Sequence, residues 1–142
     1  MPDDLEFLTV IESLDTPEKI CEYMKENFTY EPHIIYTLDP YTLWKTNKGD
    51  CNDFSTFAVF AANYHNYETY QIKIFFKDTL MFHTIAIYRE DKLSYSDNWI
   101  YCYGYDTFKK VVIDDMKFRP SDLVWKSYKV YDYENNLIEV GE

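Results

Sequence analysis

Apolar positions recur at two periods along this chain, and the change of period divides it into a helical first half and a sheet-forming second half. From Thr16 the spacing of Ile20, Tyr23, Met24 and Phe28 is helical, with Thr16 as N-cap and Pro17 at the first helical position. Residues 29–48, with Pro32, Pro40 and scattered aromatics, read as an irregular packed connection leading to Gly49. From Cys51 to Tyr64, the residues Phe54, Phe57, Ala58, Ala61 and Ala62 form one stripe, which Val59 and Phe60 widen. A helix apolar nearly all round belongs in the middle of a domain, and its alanines let strands approach closely.

The period then becomes two. Tyr70, Ile72, Ile74 and Phe76 alternate with Gln71, Lys73 and Lys77, as a half-buried strand requires. Phe82 to Arg89 follows, with His83, Ile85 and Ile87 on one face, expected to look toward the central helix. Glu90-Asp91-Lys92 predicts a hairpin turn. A third strand starts near Leu93, where Leu93, Tyr95 and Asp97 share a face, and continues, unbroken or with a break, through Trp99 to Tyr103, with Gly104 closing the block. Asp106 is the predicted cap of a short helix using Phe108, Val111 and Val112. Val124 to Tyr133 reads as a strand, and Asn135-Asn136 as a turn into a last strand, Leu137 to Val140. Helices followed by mostly antiparallel strands give class α+β in a single domain, residues 1–142.

Composition narrows the partners. The chain has 142 residues, 46% of them apolar and 20% aromatic, enough to fill one core. Its formal charge of −11 repels nucleic acid and anionic lipid, so neither is an expected partner. Three cysteines, Cys21, Cys51 and Cys102, without CxxC spacing argue against a disulfide framework and a cysteine-based zinc site. Met1-Pro2-Asp3-Asp4 shows no basic-then-apolar run, and no apolar stretch reaches membrane-spanning length. The expectation is a soluble, cytoplasmic protein of a reducing compartment.

Candidate chemistry gathers at Gly49-Asp50-Cys51-Asn52-Asp53-Phe54. Cys51 opens a helix, where unpaired N–H groups and the helix dipole favour an anion and can hold the oxyanion of a tetrahedral intermediate. Gly49 permits the sharp turn before it. His83 follows 32 positions later (83 − 51), and Asp97 after 14 more (97 − 83), across a hairpin and in phase with Tyr95. A nucleophile, its base and a carboxylate that fixes the base's tautomer make a relay for acyl transfer.

These residues resemble the transglutaminase-like superfamily, which includes bacterial transglutaminase-like cysteine peptidases. The resemblance rests on Gly49-Asp50-Cys51-Asn52-Asp53-Phe54, on His83-Thr84-Ile85-Ala86-Ile87-Tyr88 and on Tyr95-Ser96-Asp97-Asn98, and spans roughly residues 41–103. It implies a papain-like, transglutaminase-like core, a central helix packed on an antiparallel sheet. It also implies a triad in which Cys51 attacks an amide, His83 is the base and Asp97 orients it. Trp44, seven positions before Cys51 (51 − 44), is similar to an aromatic that precedes the family's Gly-Asp-Cys, which makes it a candidate oxyanion support; Asn98 is a candidate site-lining residue. Many relatives carry Glu where Asn52 stands. The implied function is a cysteine peptidase or amidase acting on a protein or peptide. The alternatives are a protein-glutamine transferase using an amine acceptor, or a non-catalytic binding or assembly module that keeps the fold.

The remaining polar and sulfur residues carry plainer expectations. Cys21 and Cys102 read as structural, His33 and His65 as surface or capping residues, and Asp50 and Asp53 as caps of the central helix. No metal and no cofactor is expected, since the spacing offers no fourth ligand.

Overall fold

The computed structural model describes residues 2–33 and 36–142, with the side chains of residues 2–4 left aside. Met1 of the N-terminal stretch, and Ile34 and Ile35 of the 29–48 connection, lie outside the described residues. Helix α1 is Pro2–Ser13 and α2 is Pro17–Asn27. Strand β1 (Thr29–Tyr30), helix α3 (Pro40–Thr46) and strand β2 (Lys48–Gly49) lead to α4, Cys51–Tyr64. Strands β3 (Thr69–Phe76), β4 (Phe82–Arg89), β5 (Leu93–Asp97) and β6 (Ile100–Tyr105) follow. Helix α5 (Phe108–Asp115) continues into a 3-10 turn, Met116–Phe118, before β7 (Trp125–Asp132) and β8 (Leu137–Gly141). The fold is α+β, with an antiparallel six-stranded sheet in the order β6-β5-β4-β3-β7-β8 and a separate parallel β1–β2 pair. No helix among the described residues is long and apolar enough to cross a membrane.

Capping explains where the helices begin. Thr16 accepts from the Lys19 N–H at the start of α2, with Pro17 at the first position. Asp39 and Pro40 repeat that arrangement at α3, which ends at Asn47 in the left-handed region (φ 63°). Helix α3 and helix α1, whose Phe7 and Ile11 are buried, were not expected from the sequence pattern. Helix α3 has seven residues and α1 is mixed in polarity, and both pack against α4.

The sheet separates two apolar layers. On one face α1, α2, α3 and α4 bring Ile11, Met24, Leu43, Phe54 and Phe57 against Ala86 and Tyr88 of β4. On the other, Ile72, Ile74, Ile85, Ile87 and Tyr95 meet Val111 and Val112 of α5. This corrects the expected orientation: the face carrying Ile85 and Ile87 looks toward α5, not toward the central helix. The alanine-rich helix needs a close, shallow surface, and Ala86 supplies it. Gln71, the polar alternate of β3, donates to Ser55 Oγ of α4 at 2.9 Å.

Three further corrections concern turns. The run from Leu93 to Tyr103 is a hairpin, folded back at Asn98-Trp99 with Asn98 left-handed at φ 54°. Gly104 does not close the block; it lies inside β6 at φ 111°, the extra residue where the register shifts between Leu93 and Ser94. The cap of α5 is Thr107, which accepts from the Lys110 N–H, while exposed Asp106 pairs with Lys92 and Lys110.

Candidate active site

Cys51 is the first residue of α4, and a capping box fixes that start. Asp50 Oδ1 accepts from the N–H groups of Asn52 (3.1 Å) and Asp53 (3.3 Å), and Asp53 Oδ2 accepts from the Asp50 N–H (2.8 Å). The two aspartates are caps, as the sequence predicts. They also take the Asn52 and Asp53 amides, which removes both from the set expected to hold an oxyanion. Gly49 is required by close approach: a Cβ there would stand 2.7 Å from Asp53 Oδ2 and 2.8 Å from Leu43 Cδ1.

His83 is the second residue of β4 and is buried. Its Nε2 lies 3.0 Å from Oδ1 of Asp97, the last residue of β5. That bond leaves Nδ1 free of Asp97, and Cys51 is near enough to the ring to raise its pKa. Asp97 thus holds the imidazole, and Cys51 acts on the same ring through its electrostatics. By alternation His83 shares the α5-facing side of β4, and it reaches the start of α4 because it stands near the strand's beginning. Beside it, Thr84 points to the helix side and donates to Asn52 Oδ1 at 2.5 Å, joining β4 to the first turn of α4.

Charge in this cluster is strongly arranged. Burial alone would lower the His83 pKa, but hydrogen bonds to Asp97 and Cys51 and their charges override it and raise the ring to about 9. Burial would raise Asp97, yet the His83 hydrogen bond and the neighbouring positive charges bring it down to about 2. Arg119, just after the 3-10 turn, donates from Nη2 to Asp97 Oδ2. Asp115, the last residue of α5, has one oxygen within 4.8 Å of the Asp97 and His83 ligand atoms. Burial first, then Asp97, pushes Asp115 up to about 8. Sequence reasoning missed Arg119 and Asp115. Their signal is tertiary, because only the docking of α5 on the far face of the sheet brings them to Asp97.

The other candidates fall elsewhere. Trp44 sits on α3 among Phe7 and Tyr41, at 5.6 and 5.9 Å between ring centroids, and does not line the cleft at Cys51. Asn98 occupies the β5–β6 turn next to Asp97, its Oδ1 buried without a hydrogen-bond partner among the described residues. Cys21 is buried in the helical layer, and burial pushes its thiol up to about 12. Cys102 is half-buried on β6. His65 caps the end of α4 and binds the Ile11 carbonyl at 2.8 Å. His33 has more than a surface role: its Nε2 bonds Asp53 Oδ2, whose other oxygen accepts from the Leu38 N–H at 2.7 Å. The hydrogen bond to Asp53 raises the His33 pKa.

A cleft of about 470 Å3 opens on Cys51. Tyr30 and Tyr36 line one part of it and Leu80, Met81 and Phe82 another. Leu80 is 100% exposed and Met81 74% exposed, so large apolar side chains stand in solvent beside the sulfur.

No protein-family model matches the chain, and no curated protein matches it in sequence. Solved structures do match in fold. The EGTA-treated form of LapG from Legionella pneumophila superposes with a TM-score of 0.59 at 14% identity, covering 94% of this chain and 78% of that one. Its calcium-bound form gives 0.57 at 16% identity, over 94% and 79%. A third LapG structure gives 0.58 at 15% identity, over 92% and 78%. LapG has a transglutaminase-like fold, and this chain shares that fold.

Proposed function

We propose that this protein is a thiol-dependent acyl-transfer enzyme, a cysteine peptidase or amidase whose catalytic residues are Cys51, His83 and Asp97. The observation that carries the reading is His83 held by Asp97 through Nε2 at 3.0 Å, with Cys51 near enough to help raise the pKa of that ring. LapG, a bacterial cysteine protease, supports it through the shared fold. An imidazole raised to about 9 is a strong enough base to receive the thiol proton. The sulfur attacks an amide carbonyl and the C–N bond breaks. The departing amine takes its proton from His83, leaving a thioester on Cys51. Water activated by His83 then cleaves the thioester to a carboxylate and returns the thiol. The Cys51 N–H, at the start of α4, is the oxyanion donor in this reading.

The substrate is a protein or peptide segment, since an open apolar-rimmed cleft takes an extended chain more readily than a small polar amide. Hydrolysis is favoured over transfer because, among the described residues, no side chain lining the cleft is specific for an amine acceptor. Calcium is a property of the LapG structures. Calcium takes six to eight oxygen ligands. Among the described residues, the two acidic groupings each offer one imidazole and two carboxylates. Their Asp53 and Asp97 oxygens already accept from His33, Leu38, Asp50, His83 and Arg119. These donor sets do not fit a calcium ion, and no step uses one.

The test is alkylation by iodoacetamide at neutral pH with the label located by peptide mapping. Cys51 is expected to react well ahead of Cys21 and Cys102, and His83→Ala is expected to remove that advantage. Equal labelling of the three thiols would leave a non-catalytic module. A tagged primary amine separates the chemistries, since Cys51-dependent incorporation into a glutamine-containing protein would mean transfer.

A further inference from the structure

We propose that Asp115 and Arg119 are positioning residues, a neutral carboxyl and a guanidinium that together clamp the Asp97 carboxylate toward His83. The inference rests on the triad reading but is tested without turnover. Asp97 Oδ1 accepts from His83 and Oδ2 from Arg119, so both ends of the carboxylate are held. Asp115 is fully buried, with both oxygens lacking a donor among the described residues. Two buried carboxylates facing each other are acceptors only, and like charges at this separation do not both ionise. One proton resolves both problems. It belongs on Asp115, because His83 and Arg119 already compensate Asp97, and from there its O–H donates to Asp97. Asp97 is thereby held by three donors from three segments.

The groups facing Asp115 are His83 of β4, Asp97 and Tyr95 of β5, and Arg119 and Lys117 beyond α5. Of these, Asp97 opposes its ionisation most, consistent with the rise of Asp115 to about 8. Above that pH a second negative charge appears beside Asp97, and the clamp becomes a repulsion.

The experiment uses the full chain and two readouts, the iodoacetamide rate at Cys51 from pH 5 to 10 and the titration of His83 by NMR. Asp115→Asn keeps a neutral donor, so the neutral-pH rate is expected to persist while the inflection near pH 8 disappears. Asp115→Leu removes the donor; the rate at pH 7 is expected to fall about tenfold and the His83 midpoint by about one unit toward its ordinary value. Arg119→Gln is expected to slow alkylation similarly, with Arg119→Lys recovering part of the loss. If Asp115→Leu or Arg119→Gln does not fold, the conservative variants still decide. Asp115→Asn retaining the inflection, or all folded variants keeping the wild-type rate and His83 midpoint, would overturn the clamp. Wild-type Cys51 reacting no faster than Cys102 would overturn the enzyme reading instead, and the His83 titration would still judge the clamp.

Discussion

At the scale of single residues, the start of α4 depends on how closely Gly49 passes Asp53. Asp53 accepts from the Asp50 and Leu38 amides and from His33, so it ties the cleft wall to the helix that carries Cys51. A methyl group at Gly49 would stand 2.7 Å from that carboxylate, which has no room to retreat. Gly49→Ala is therefore expected to destabilise the protein by about 1–3 kcal/mol, the usual range for overpacking a filled site. It should also slow alkylation of Cys51, because the capping box shifts with Asp53. A melting temperature and a labelling rate equal to wild type would show that the box tolerates the shift. The caps themselves were legible, since Asp at an N-cap with an acid three residues on has a local mechanism. The pairing of His33 with Asp53 was not, because the two lie 20 residues apart and only the fold joins them.

At the scale of elements, the hairpin of β5 and β6 decides where Asp97 points. Asn98 turns the chain in the left-handed region at φ 54°, directly after Asp97. Asparagine tolerates that region, whereas a β-branched residue is strained there. Asn98→Val is expected to cost about 1–3 kcal/mol and to lower the His83 titration midpoint as Asp97 loses alignment. Asn98→Gly should leave the midpoint unchanged, since glycine adopts the same angle freely. An unaltered His83 midpoint in Asn98→Val would mean that β5 holds Asp97 without the turn. The sequence left room for a break here but not for a reversal, because Leu93 to Tyr103 keeps its alternation across a two-residue turn that lacks glycine. Helix α4 was legible to the residue, being long and apolar on most sides. Helix α3 was passed over although Asp39-Pro40 carries the same start signal as Thr16-Pro17, because its seven residues are too few to establish a period. The facing of the sheet could not be read at all. Alternation tells which residues share a side of β4, but both sides are buried, by α4 and by α5.

At the scale of the whole molecule, the order of the candidate triad was readable from motifs, and its electrostatics was not. Cys51, His83 and Asp97 are separated by spacings that strand and helix patterns can interpret, whereas Asp115 and Arg119 arrive from behind the sheet. Those two change how stability depends on pH. His83 rises from 6.5 to about 9 on folding, so its contribution is fully present below pH 6.5 and is lost as pH rises through 9. Asp115 rises from 3.8 to about 8, so folding holds a proton that the unfolded chain releases, and stability declines as pH climbs from 3.8 to 8. Asp97 has the opposite sign: lowered from 3.8 to about 2, it favours folding above pH 3.8, and the benefit disappears as pH falls through 2. The three dependences together put the greatest stability near pH 4 and make it fall from there toward pH 9, more steeply once His83 joins Asp115 above pH 6.5, by an amount on the order of several kcal/mol. Thermal melts in matched ionic strength should show that decline, and it should be shallower in Asp115→Asn and in His83→Gln, each of which removes one titrating group. A melting temperature that is flat from pH 6 to 9 would mean that neither His83 nor Asp115 holds a proton more tightly in the folded chain than in the unfolded one.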